Sequence, residues 1–260
     1  MREDVDDPDG KITAALAALL AERGKRVPPG LDDKQLTSWN ALAIRGMAIA
    51  GRVLGRQDLV DAAAAAASFV REKLFVDGRL LATCKEGQAR FPAYLDDYAF
   101  MIDALLELLQ SHWDTAQLNF AIEIADALLE HFEDNDDGGF YFTADDHEQL
   151  MHRPKPLADE AVPSGNGIAA VALQRLGHLV GEHRYIEAAE RTLRSAWKAM
   201  DEYPHGHVTL ITALEEYLEP PEIVVIRGDA ADVGDWRQQL SRIYAPSRFI
   251  VAIDRGERDL

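Results

Sequence analysis

The chain carries a single cysteine, Cys84, among its 260 residues. It can therefore close no internal disulfide, form no CxxC redox couple and supply no thiolate cage for zinc, and the expected setting is the reduced cytoplasm. Basic residues are also scarce: 27 lysines and arginines face 45 aspartates and glutamates, for a formal net charge of −18. A nucleic acid or an anionic membrane surface demands a basic face that displaces counterions, so neither is expected as a partner. Long apolar runs are missing. The stretch from Ile12 to Leu20 is broken off by Glu22 and Arg23, too short for a bilayer, and the acidic residues from Met1 to Gly10 do not resemble a secretion signal.

Several chemical signatures are absent too. There is no GxSxG elbow or HExxH, and the Arg227-Gly228-Asp229 turn carries no nucleotide fingerprint. The acidic run from Glu133 to Phe142 suggests an EF-hand loop, but with Gly138 as the loop glycine the twelfth position is Ala144, where a bidentate acid is needed. A tight Asp-Gly turn into a short aromatic strand is the better reading. No metal site and no cofactor are expected.

What is present is a repeat. Leu36, Leu95 and Pro163 begin similar units 59 and 68 residues apart, a step that suits a helical hairpin plus loops. Helices are expected at 36–54, 58–74, 95–110, 114–133, 164–180 and 183–200, after a short one at 12–23. Charge sorts them: 36–54 and 98–110 carry two charged residues each and 164–180 only one, against five, five and six in 58–73, 114–133 and 183–200. A helix apolar on nearly every side must be covered all round, so the first of each pair is inner and the second outer. Such alternation describes a two-layered α/α array, a solenoid or a closed toroid. Tetratricopeptide and ankyrin arrays have periods of about 33–34 residues, roughly half the one seen here, so the toroid is preferred. Gly46, Gly51, Gly167 and Gly177 lie inside inner helices, where each costs roughly 1 kcal/mol against alanine, so close helix approach is their expected compensation. Beyond Pro220-Pro221, two β-branched runs flank a helix at about 230–243, a small β-α-β appendage. The expected division is a mainly α partial toroid, 1–219, followed by the appendage, 220–260.

Each inner helix opens on polar residues: Asp32, Asp33 and Lys34 with Trp39 and Asn40, then Asp96, Asp97 and Tyr98, then Ser164 and Asn166. Paired acids beside an aromatic are what a sugar pocket uses, the ring stacking on the pyranose and the acids handling protons. The plain alternatives are carboxylates capping helix amides, and a solvated charge run before a core tryptophan. Arg153 and Lys155 lie in a proline-stiffened loop that runs through Asp159 to Ser164. They could hold an anion at the helix N-terminus or pair with Asp159 and Glu160.

The runs LDDKQLTSWNALAIRGMA, YLDDYAFMIDALLEL, DGGFYFT and RPKPLADEAVPSGN, in this order, closely resemble the spermatogenesis-associated protein 20 family and its bacterial thioredoxin-domain-containing relatives. The resemblance implies part of an α/α toroid related to six-hairpin glycosidases and N-acylglucosamine 2-epimerases, and with it a sugar ligand and glycoside hydrolase-like or epimerase-like chemistry. Asp33 and Asp97 are then the acid/base candidates. Asp32, Lys34, Trp39, Asn40, Asp96, Tyr98, Arg153, Lys155, Asp159, Ser164 and Asn166 are the binding candidates. Ala41 and Glu160 stand where the family motifs commonly have glycine. The alternative is a non-catalytic interaction domain serving a thioredoxin-like redox partner. With half a ring present, the uncovered inner helices are expected to meet another copy of the chain or further family domains.

Overall fold

A computed structural model describes residues 7, 9–148, 151–241, 243–245 and 247–257. They form two compact units, one ending at Asp33 and one beginning at Lys34. The first holds helix α1 (Lys11–Gly24), none of whose residues is buried. Asp7 starts it by accepting from the amides of Ile12 and Thr13 at 3.0 and 2.8 Å.

The second unit is mainly helical. Strand β1 (Gln35–Leu36) leads into α2 (Thr37–Leu54), which is followed by α3 (Gln57–Phe69) and a π-helical turn, Val70–Leu74. Strands β2 (Phe75–Val76), β3 (Arg79–Lys85) and β4 (Gln88–Pro92) form antiparallel hairpins before α4 (Leu95–Ser111) and α5 (Thr115–Phe132). Next come α6 (Gly165–Val180), α7 (His183–Glu202) and α8 (Val208–Leu218). Strand β5 (Glu222–Gly228), helix α9 (Ala230–Ser241) and strand β6 (Arg248–Asp254) complete a parallel β-α-β. Arg242, within the helix expected at 230–243, lies outside the described residues.

Helices α2, α4, α6 and α8 pack side by side in that order, with α3, α5 and α7 behind. Every α4 residue except Asp96 is buried, whereas α7 buries only one face, as the charge counts require. Two of the three hairpins turn alike. A side chain on Gly51 would meet Val60 Cγ2 at 2.6 Å, and one on Gly177 would meet Ile186 Cγ1 at 2.8 Å. Four residues later Gly55 and Gly181 end their helices in the left-handed region, at φ 67° and 75°, where side chains are strained. A side chain on Gly167 would meet Thr209 Cγ2 at 2.8 Å, but Gly46 faces open space, so close approach explains three of the four glycines. On α2, Trp39, Val53 and Leu54 are exposed.

Two features differ from the sequence expectation. The segment 75–92 is a β-meander, its first turn made by Asp77 and Gly78 with φ of 51° and 77°, a pairing that matches the twist of a two-residue hairpin. The acidic turn at 133–142 leads into no strand, only an isolated bridge between Glu133 and Phe140. Lys155 and Asn166 take up groups there that a strand partner would otherwise satisfy.

Candidate functional site

The inner helices run parallel, so α2, α4, α6 and α8 begin at one rim. Carboxylates tie these beginnings together. Asp97 accepts from the Tyr94 amide at 2.9 Å on its own helix and from the Ser38 amide at 2.8 Å on α2. Asp159 accepts from the Ser164 amide at 2.8 Å and the Thr209 amide at 2.9 Å, joining α6 to α8. Helix N-termini leave unsatisfied amides, and each acid serves two helices at once.

Environment separates the acids. Burial pushes Asp97 up to about 6 against the lowering pull of its two amides. Burial also works to raise Asp159, but the amides of Thr209 and Ser164 prevail and hold it below the usual carboxylate range. Asp96 is different. It makes no hydrogen bond among the described residues, and burial together with the Asp97 charge pushes it up to about 6. Its carboxylate stands over the first turn of α6, where a side chain on Gly165 would come within 2.2 Å of Asp96 Oδ1.

The remaining candidates are distributed around this rim. Trp39 is 68% exposed at the start of α2, while Asn40 donates to the Leu36 carbonyl at 2.8 Å. Tyr98 is fully buried; its hydroxyl accepts from the Leu80 amide at 3.0 Å and its ring packs on Phe132, so no ring face is open. Ser164 caps α6 by accepting from the Gly167 amide. Asn166, also fully buried, pairs with both the amide and the carbonyl of Phe140 and donates to the Pro156 carbonyl.

Arg153 and Lys155 flank the ring of Tyr141, at 4.2 and 5.4 Å from its centre. Arg153 donates to the Thr143 carbonyl at 2.6 Å, and Lys155 pairs with Asp134 at 2.6 Å. Their partners are thus neither Asp159 nor Glu160. Asp32 and Asp33 belong to the first unit and Lys34 to the second, so Asp33 and Asp97 are carried by different units.

At the other end of the inner helices the sequence left a feature unread. A cavity of about 500 Å³ lies between α2, α4 and α6 and the β-α-β, and Arg45, Arg52, Arg175, Arg237 and Arg248 line it with Glu107. Arg45 bonds Asp103 at 2.6 Å and Arg52 bonds Glu107 at 2.9 Å. Arg175 is the hub, reaching Glu216, Glu107 and Asp103 at 2.5, 3.4 and 3.8 Å. The signal was there: Arg45 and Arg52 are seven residues apart on one face of α2, and Asp103 and Glu107 four apart on one face of α4.

His131, Asp145 and Asp146 also converge, with ligand atoms within 4.8 Å of one another. Arg79 binds both oxygens of Asp146, at 2.7 and 3.0 Å, so a guanidinium already supplies the positive charge. No described helix is long and apolar enough to cross a membrane.

No family model matches the chain. It is 29% identical over 264 residues to human spermatogenesis-associated protein 20, covering 96% of this chain and 34% of that protein. The rat protein of that name is 30% identical over 256 residues, 94% of this chain and 32% of that one. The chain thus spans about a third of the length of the curated relatives it matches. Among solved structures, the GH76 α-mannanase of Bacteroides thetaiotaomicron superposes with a TM-score of 0.58 at 12% identity, over 88% of this chain and 64% of that one. Cellobiose 2-epimerase from Spirochaeta thermophila superposes with a TM-score of 0.51 at 19% identity, over 72% and 53%. The chain is a homologue of the spermatogenesis-associated protein 20 proteins, built on part of an α/α toroid.

Proposed function

We propose that this chain is a carbohydrate-binding or carbohydrate-active part of an α/α toroid, with Asp96 as its acid/base. The observation that carries the reading is Asp96 itself, a rim carboxylate with no hydrogen bond among the described residues and a carboxyl that burial and the Asp97 charge push up to about 6. A group that titrates near neutral pH can both give and take a proton, which is what sugar chemistry asks of a carboxyl. The toroids it superposes on include an enzyme named for mannan and one named for cellobiose. Exposed Trp39 is the stacking platform in this reading.

The test is a glycan array with the chain, its Asp96→Asn variant and its Trp39→Ala variant. Binding or turnover of some sugar is expected in the parent, reduced tenfold or more in both variants with no loss of thermal stability. A sugar response unchanged by Asp96→Asn would sink the assignment.

A second reading has its own support. Asp97, Asp159, Asn166 and Arg153 all bind the chain's own backbone, as a non-catalytic interaction domain serving a thioredoxin-like partner would have it. Absence of any glycan response, together with large stability losses on removing these side chains, is the outcome that favours it.

A further inference from the structure

We propose that the arginine-lined cavity beneath the β-α-β is a binding site for the phosphate group of a small phosphorylated metabolite. It is separate from the rim, since Asp96 and Glu107 lie eleven residues apart on α4, about 16 Å along a helix rising 1.5 Å per residue.

Three observations converge. Its size, about 500 Å³, falls within the range of roughly 300–1,000 Å³ typical of small-molecule pockets. Its lining concentrates five guanidiniums in a chain whose net charge is −18. Guanidinium forks match phosphate oxygens two at a time, which an ammonium cannot do.

The charge balance inside is incomplete. Arg45, Arg52, Arg175 and Arg248 each have a carboxylate, from Asp103, Glu107, Glu216 and Glu222. Arg237 has none among the described residues and donates only to the Ser111 carbonyl. Capping the end of α4 accounts for that one N–H. It does not account for placing Arg237 against Arg52, an arrangement that, with burial as the larger cause, lowers the pKa of Arg237. Arg52 is already balanced by Glu107, so the excess positive charge is that of Arg237, and burying it beside a second guanidinium is unfavourable unless an anion joins them. The cavity wall is shared between the inner helices, which supply Arg45, Arg52 and Arg175, and the β-α-β segment, which supplies Arg237 and Arg248, so a bound phosphate would bridge the two.

Calorimetry and thermal melts of the full chain test this, with inorganic phosphate, glucose 6-phosphate, glucose and gluconate as probes. At least one phosphate species is expected to bind with a Kd below about 1 mM and to raise Tm, as a ligand selective for the folded state must. Arg237→Gln is expected to weaken that binding tenfold or more while leaving the Tm of the free protein unchanged or higher. Arg248→Gln provides a second variant, on β6, with a severalfold loss. The proposal is overturned if neither phosphate species binds, if Arg237→Gln binds as tightly as the parent, or if gluconate or glucose binds as well as glucose 6-phosphate.

Discussion

At the rim, acids meet backbone amides; at the far end of the same helices, acids meet arginines and one arginine is left over. Both ends bury charge, yet the two solutions differ in what they tolerate. An amide is a fixed dipole supplied by the helix itself, so each rim carboxylate needs only to be in place. A guanidinium must itself be taken out of water, and that cost is met only while every partner is present.

The sharpest way to break the comparison is at Arg175. Replacing it with methionine leaves buried Glu216 without its arginine, while Asp103 and Glu107 keep only Arg45 and Arg52, and a loss of about 3–5 kcal/mol is expected in urea unfolding. Changing Glu216 to leucine in the same chain should recover part of that loss. No recovery would mean the hub acts by shape and not by charge.

Next comes the rim. Asp159→Ala and Asp97→Ala each remove two amide acceptors, and about 1–2 kcal/mol apiece is expected, at the upper end of cap losses. The carboxyl of Asp159 is held below its unfolded value. Its contribution is therefore complete above about pH 4 and is lost as pH falls through the folded pKa. An Asp159→Ala penalty that stays constant between pH 7 and the acid limit of folding would contradict this.

The smallest effect has the opposite sign. Burial and the Asp97 charge push Asp96 up to about 6 when folded, above the ordinary aspartate value, so the folded chain binds more protons between those values and loses stability as pH rises through them. Asp96→Asn should thus stabilise the chain at pH 7 by about 1 kcal/mol, allowing for partial exposure. The advantage should vanish below about pH 4. Melting curves at several pH values decide it, and a destabilised Asp96→Asn at pH 7 would assign Asp96 to capping.

The inner and outer layers were legible because charge content differs so strongly between paired helices, and helices 36–54 and 164–180 end within a residue of their expected bounds. The β-meander was not, since β2 has only two residues and β3 does not alternate cleanly in burial. Helix α8 was not expected from the sequence; a short turn, Pro204–Gly206, and His207 lie just ahead of it. The polar residues at the rim were legible as a group, but not their partners. Asp97 binds across 59 residues and Asp159 across 50, and no local pattern encodes such a distance. The arginine cavity was missed for a related reason: a charge counted on one helix says little until its neighbour's charges are aligned with it.

The carboxylate bridges at the rim have one more consequence. The first amides of a helix are ordinarily open to water and exchange their hydrogens almost freely. Here the amides of Ser38, Ser164 and Thr209 are closed by two aspartates, Asp97 and Asp159, each of which accepts from amides at the starts of two neighbouring helices. For Ser38 and Thr209, protection from exchange reports whether neighbouring inner helices are in register, and not whether each is wound. Deuterium uptake at those two positions would time the assembly of the ring separately from the formation of its parts.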